Sequence, residues 1–194
     1  MNVAVEIIEF AVRSGGIDGL LVVTPKQVSD ARGTIRELFR RSAFEAAGVS
    51  LTPFQQINVT ESARGAVRGM HAEEMTKLLT VASGEALGAY ADLRPDSATF
   101  GVVQIVELRP GVQVLVPAGV ANGFQALTDR CQYLYCFDTE WQPGMSGSAC
   151  SPLGLGIEWP IAVDPDDPTQ LSAKDAASPH LADLLDRLRQ GRDT

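Results

Sequence analysis

From Phe54 onward, apolar and polar residues alternate in short runs, and Gly, Pro, Asp and Ser interrupt them at roughly eight-to-twelve-residue intervals. The period-2 alternation predicts strands over 54–60, 66–71, 77–82, 86–93, 102–108, 113–116, 122–127 and 132–138. That succession is the rhythm of an all-β sandwich or barrel. Ahead of it, residues 1–16 read as a short helix or an edge strand ending at Ser14-Gly15-Gly16, and 19–23 as a β-branched-rich strand stopped by Pro25. Residues 29–37 read as a turn followed by a strand, with Asp30, Arg32 and Gly33 supplying the turn chemistry. Residues 41–48 form the best early helix, with Ser42 as its cap, Glu45 three residues on and Gly48 as its stop. The acidic, proline-broken segment 164–169 reads as a solvated connection. Leucines at 181, 184, 185 and 188 give helical periodicity over 178–189.

At 194 residues with 45% hydrophobic and 21% charged side chains, the chain is expected to form one domain over 1–194. Within it, 1–18 is an N-terminal extension and 161–194 a C-terminal loop and helix. The net charge of −8, with no basic stripe, argues against a nucleic-acid partner. Cys131, Cys136 and Cys150 have no C-x-x-C spacing and suit free thiols in a reducing cytoplasm. Glu6 and Glu9 near the start, with no basic region before them, make a secretory leader unexpected. No apolar run approaches the ~18 residues that a membrane span needs.

The chemistry concentrates in QINVTESARGAVRGMHAEEMTK, residues 56–77. It holds His71, one of two histidines in the chain, with Arg64, Arg68 and Lys77 nearby in an otherwise acidic protein. A histidine among cations on strands points to an anionic small molecule handled by proton transfer. The plain alternative is a satisfied, structural histidine. His180 lies in the C-terminal helix, so the strands carry too few histidines for a metal site, and the thiols lack ligand spacing. A G-x-S-x-G elbow, a dinucleotide fingerprint and a phosphate loop are also missing. What remains is a metal-free, cofactor-free β protein with one histidine placed to act as a base.

Seven motifs then fall in order: DARGTIRE (30–37), QINVTESARGAVRGMH (56–71), ADLRPDSATFG (91–101), VPAGVANGFQAL (116–127), LYCF (134–137), LGIEWP (155–160) and LSAKDAASP (171–179). In these the chain resembles the dTDP-4-dehydrorhamnose 3,5-epimerase (RmlC-like) family of sugar-nucleotide epimerases, over about residues 19–179. The resemblance implies a cupin-like jelly-roll β-sandwich, a homodimer with strands crossing between subunits, and a dTDP-linked 4-keto-6-deoxyhexose as substrate. It also implies a cofactor-free reaction, because the C4 ketone is itself the electron sink. A base removes the proton next to that ketone, and an acid returns one from the opposite face. By this likeness His71 is the base and Asp175 the carboxylate that orients it. Lys77 stabilises the enolate oxygen, and Tyr135 is the acid across the ring, with Tyr133 on the same strand face as its rival. Arg32 and Arg68 correspond to arginines that contact the diphosphate and nucleotide. Glu37, Gln56, Asn58, Asn122, Trp141 and Lys174 correspond to positions around the substrate. Each has a plainer reading: Arg32 and Asp30 as a turn pair, Glu37 as a surface residue, Asp175 as a helix-terminal carboxylate.

The chain also departs from the family pattern. Only AEEMT separates His71 from Lys77, where the family has a longer, proline-containing loop. Glu73 and Glu74 are expected to point outward, away from an anionic substrate. Asn122 stands in place of a common histidine, Gly88 in place of an Asp, Ser151 in place of an Asp before Pro152, and Trp141 in place of a tyrosine. These changes suit a specialised relative, for example one that epimerises only C3 or only C5, or one that takes a different nucleotide; the sequence leaves open epimerisation at C3, at C5 or at both. The competing readings are a ketoisomerase on a related sugar nucleotide and a catalytically idle sugar-nucleotide-binding cupin.

Overall fold

In a computed structural model, residues 5–191 are described; the outermost parts of the expected N-terminal element and C-terminal tail, 1–4 and 192–194, lie outside them. The chain opens with β1 (Glu6–Ile8), β2 (Ala11–Ser14), β3 (Leu21–Thr24), β4 (Gln27–Asp30) and β5 (Gly33–Arg36), then helix α1 (Arg41–Ala46). Next come β6 (Gln56–Ser62), β7 (Val67–Glu73), β8 (Lys77–Ser83), β9 (Ala86–Asp92) and β10 (Val103–Leu108). They are followed by β11 (Gln113–Val116), β12 (Val120–Ala126), β13 (Cys131–Phe137) and β14 (Gly147–Ala149). A 3₁₀ turn (Pro152–Gly154) and helices α2 (Ala173–Ala176) and α3 (Leu181–Gln190) complete the described chain.

The strands form antiparallel sheets ordered β2-β3-β11-β8-β13-β6, β10-β9-β12-β7-β14 and β1-β4-β5. The six- and five-stranded sheets face each other across a core that includes Leu79, Tyr90, Val114, Phe124 and Tyr133. This is the all-β sandwich expected from the alternation, in the cupin-like jelly-roll form that the family resemblance implies. Both outer faces are also covered. Leu181 and Leu184 of α3 join Ala89, Ala91 and Ala121 on the outside of the five-stranded sheet. Phe44 of α1 packs with Val23, Leu78, Leu115 and Cys136 outside the other sheet. Strands β9 and β12 are therefore buried along their whole length. Each large apolar side chain so enclosed contributes about 1.5–3 kcal/mol.

Local chemistry explains the element ends. Helix α1 stops as expected at Gly48, whose positive φ lets Val49 N–H donate to the Phe44 carbonyl and Gly48 N–H to that of Glu45. Its start differs from expectation: the cap position is Arg40, with no side-chain capping bond, and Ser42 lies inside the first turn. Residues 29–37 make the end of β4, a tight turn and β5, not a turn and one strand. The N-terminal region is strand and not helix. β2 forms an edge of the six-stranded sheet and β1 an edge of the small one. Alternation had not marked β14, a three-residue strand, or the four-residue α2.

Candidate functional site

At one end of the sandwich the two sheets part around a cavity of about 420 Å³. The side chains that face it come from both walls and from the loop that precedes α2. From the five-stranded sheet come Arg68, His71 and Glu73 on β7 and Asn122 on β12. The six-stranded sheet supplies Asn58 and Thr60 on β6, Lys77 on β8, and Tyr135 and Phe137 on β13. Trp141 and the 168–172 loop close the rim, and Asp175 on α2 reaches in behind His71.

The β7–β12 pairing explains how the first wall is aimed. Asn122 pairs with His71 and Phe124 with Arg68, so the register shifts between them. Two residues of β7, Gly69 and Met70, there oppose Gly123 alone, which is a β-bulge. A Cβ on Gly69 would lie 2.6 Å from the Asn122 carbonyl oxygen, and Gly69 has φ +101°, so glycine is required on both counts. The bulge turns His71 and Asn122 together toward the cavity.

His71 Nε2 lies 2.8 Å from Asp175 Oδ1. Asp175 sits in the first turn of α2, whose N-cap Ser172 accepts a 3.1 Å bond from the Asp175 N–H. Burial works against the Asp175 carboxylate. Its hydrogen bond and charge interaction with His71, with help from Ser172 and the Gly69 amide, more than offset this and hold its pKa below the usual range. A carboxylate accepting from Nε2–H fixes the neutral tautomer and leaves Nδ1 as the basic nitrogen. Both readings of Asp175, helix-terminal carboxylate and histidine partner, thus describe one placement.

Lys77 is almost wholly buried, only 4% exposed. Its ammonium is paired with the Glu73 carboxylate and donates to Asn122 Oδ1 at 2.6 Å and to the His71 carbonyl at 3.4 Å. Burial pushes its pKa down, and the charge and hydrogen bond of Glu73 push back. The outward orientation expected for Glu73 is therefore corrected: a lysine this buried needs a counterion, and Glu73 supplies it from inside the cavity. Glu74 is exposed, as expected. Asn122, in place of the histidine common in the family, accepts from Lys77 through its Oδ1.

Cys131, Tyr133, Tyr135 and Phe137 alternate along the inner face of β13. Tyr133 is sealed beneath Phe124, with which it stacks at 4.0 Å, while Tyr135 lies nearer the mouth and lines the cavity. Burial pushes the Tyr135 pKa up, with the Arg68 charge acting in the opposite direction. Arg68 Nε donates to Ser62 Oγ at 2.9 Å.

The remaining candidates are placed as follows. Gln56 stands behind the wall, accepting from the Trp141 N–H at 2.8 Å and donating to Asn58 Oδ1 at 3.0 Å. Lys174 lines an adjoining cavity of about 270 Å³ beside Trp141, Met145 and Ser148. Arg32 and Glu37 are not brought to this cavity within the chain. Arg32 clasps Asp30 across the β4–β5 turn, with its Nη2 at 2.6 Å, and Glu37 pairs with Arg40. Arg64 is also turned elsewhere, donating to the Leu127 carbonyl. Thr60 and Phe137 went unnoticed as site residues, and Glu73 was placed outside the site. Each lies two positions from a recognised one (Asn58, His71, Tyr135), so extending the period-2 face of each strand would have found them. The 164–169 loop is more than a solvated connection, since Pro168 and Thr169 form part of the rim. Among the described residues, no group of three or more His, Cys, Asp or Glu could hold a metal ion, and no helix is long and apolar enough to cross a membrane.

The chain and its fold are similar to those of known proteins. The family model for dTDP-4-dehydrorhamnose 3,5-epimerase matches residues 14–183. The chain is 33% identical over 176 residues to the dTDP-4-dehydrorhamnose 3,5-epimerase of Salmonella typhimurium, covering 87% of this chain and 94% of that one. Its structure is similar to that of a 4-keto-6-deoxy sugar epimerase from the novobiocin biosynthetic gene cluster of Streptomyces spheroides, with a TM-score of 0.83 and 27% identity over 97% and 96% of the two chains. It is also similar to a 3′-monoepimerase from Streptomyces bikiniensis in complex with dTDP-quinovose, with a TM-score of 0.79 and 30% identity over 92% and 98%.

Proposed function

The chain belongs to the dTDP-4-dehydrorhamnose 3,5-epimerase family, and from that premise we propose how it works as an isomerase on a dTDP-linked 4-keto-6-deoxyhexose in deoxysugar biosynthesis. The observation that carries the mechanism is the pairing of His71 with Asp175 on one wall of the cavity, with Tyr135 on the other. His71 takes the proton from the carbon next to the C4 ketone, and Asp175 stabilises the imidazolium that forms. The electron pair moves into the carbonyl, whose oxygen meets the Lys77 ammonium. Tyr135 delivers a proton to the opposite face, which inverts the centre. Arg68 faces the diphosphate, and Trp141, Asn58 and Gln56 shape the nucleotide end.

The chain acts, on this reading, as a homodimer. Val5, Ile7, Ile8 and Ile35 expose large apolar area on the β1-β4-β5 sheet, as do Ile57 and Val59 on the edge strand β6. A second copy covering these surfaces buries them, and it carries Arg32 and Glu37, which line no part of their own chain's cavity, toward a neighbouring cavity. Three free, buried thiols suit a reducing cytoplasm.

The test is to incubate the protein with dTDP-4-keto-6-deoxyglucose and follow the sugar-ring couplings by NMR. Appearance of a C3 or C5 epimer is the expected result. An unchanged ring, with the protein folded and binding dTDP, would overturn the reading.

A further inference from the structure

Glu73 has no role in the mechanism so far, yet it lies on the cavity wall beside the group assigned to the carbonyl. Its Oε2 is engaged by Lys77 Nζ, and its Oε1 receives no hydrogen bond among the described residues. The three N–H bonds of the Lys77 ammonium are directed at Glu73, Asn122 and the His71 carbonyl. An oxygen arriving at Lys77 therefore displaces one of these acceptors. The His71 carbonyl, at 3.4 Å, is the weakest held. Lys77 and Glu73 then present a donor and an acceptor side by side.

A 4-keto-6-deoxyhexose carries that pattern in complementary form on one side of its ketone only. C3 bears a hydroxyl next to the C4 carbonyl, whereas C5 bears the methyl group and the ring oxygen. We propose that Glu73 is a specificity-determining residue that accepts the hydrogen bond of the C3 hydroxyl while Lys77 holds the C4 oxygen, so that the site is built for an α-hydroxyketone and favours proton abstraction at C3. This rests on the epimerase reading above and deepens it.

The preference follows from the shape of the intermediate. When the C3–H bond breaks, the proton goes to His71 and the electron pair forms a C3=C4 double bond, with negative charge on the C4 oxygen. The C3 hydroxyl keeps its own proton. Its oxygen and the C4 oxygen become coplanar and cis on the new double bond, so one Lys–Glu pair spans both. Abstraction at C5 leaves the C3 oxygen on a tetrahedral carbon, where no double bond holds it in that plane. Only contacts that tighten in the transition state accelerate the step, and the Glu73 contact tightens for C3 alone. The ion pair also keeps the wall electrically balanced, so the carboxylate does not repel the developing charge unopposed.

The experiment compares two proteins and two substrates: wild type and Glu73→Gln, each with dTDP-4-keto-6-deoxyglucose and with its 3-deoxy analogue, in D2O. Deuterium entry at C3 is the readout. The substitution preserves side-chain volume on a cavity wall, and thermal stabilisation by dTDP checks that each protein is folded and binds. Intrinsic differences in C–H acidity between the substrates cancel in the comparison. The expected result is that Glu73→Gln slows exchange of the 3-hydroxy substrate by at least about tenfold more than that of the 3-deoxy analogue, as for loss of a hydrogen bond to a charged group. An equal slowing of both substrates would mean that Glu73 acts only through Lys77, and would overturn the proposal. Absence of exchange by wild type on the 3-hydroxy substrate would bring down the epimerase reading itself.

Discussion

His71 on β7 and Asp175 on α2 are 104 residues apart in sequence and 2.8 Å apart in space. The contact joins the wall of the sandwich to the C-terminal segment that wraps its outer face. It therefore exists only when the sheet, the bulge at Gly69 and the cap at Ser172 are all in place.

Asp175→Asn keeps the shape of this contact and removes its charge. Turnover is expected to fall by at least about tenfold, the scale of a hydrogen bond to a charged group, while dTDP affinity is unchanged. Steady-state kinetics with dTDP titration checks it. A parallel loss of affinity would show that Asp175 serves the loop and not the histidine.

Tyr135→Phe should separate proton exchange from inversion. His71 still removes and returns a proton on its own face, so deuterium from D2O enters with retained configuration, and epimer formation falls by roughly 10²–10⁴-fold. Equal loss of exchange and inversion would contradict the assignment of Tyr135 to the far face.

The pH profile should report on Lys77. Burial lowers its pKa from the ordinary 10.5, so the charge needed at the enolate oxygen is lost at a lower pH than for an exposed lysine. Activity is therefore expected to decline on the alkaline side below pH 10.5. Glu73 raises that pKa, so Glu73→Gln should move the alkaline limb lower still in kcat/KM. An unmoved limb would dissociate it from Lys77.

Away from the cavity, Asp92 is fully buried and accepts bonds from Arg94, Ser97 and Thr99. Desolvation opposes its charge, but these partners win and bring its pKa from 3.8 down to about 2. A carboxylate depressed in the folded state contributes stability above its unfolded pKa and loses it as pH falls through the folded one. The difference corresponds to about 2 kcal/mol, lost between roughly pH 4 and pH 2. Asp92→Asn should remove that contribution at neutral pH and flatten the acid limb, as read from urea unfolding at several pH values.

Much of this architecture was legible in the chain. Half-buried strands such as β6 and β10 alternate exposed and buried positions, the fully buried β9, β11 and β12 are short runs, and glycines with positive φ punctuate the series, so β6 to β13 stood out. The strand β14 and helix α2 are too short for any period to declare itself. Ser42 was misplaced as a cap because the helix begins one residue ahead of it. The ordered motifs led to His71, Asp175, Lys77 and Tyr135, and strand parity alone left Tyr133 and Tyr135 undivided. Depth in the sandwich separates them. Glu73 was misjudged because its charge was weighed against the substrate and not against a lysine still to be found buried. Arg32 and Glu37 carry family motifs but lie in the β4–β5 turn and just after β5, away from the chain's own cavity.

The most direct test of the central claim is deuterium incorporation from D2O into dTDP-4-keto-6-deoxyglucose by wild type and by His71→Ala, located by NMR. Wild type should label a carbon next to the ketone, and His71→Ala should reduce that labelling by roughly 10²–10⁴-fold while retaining its fold and dTDP binding. Labelling by His71→Ala at the wild-type rate would contradict the account.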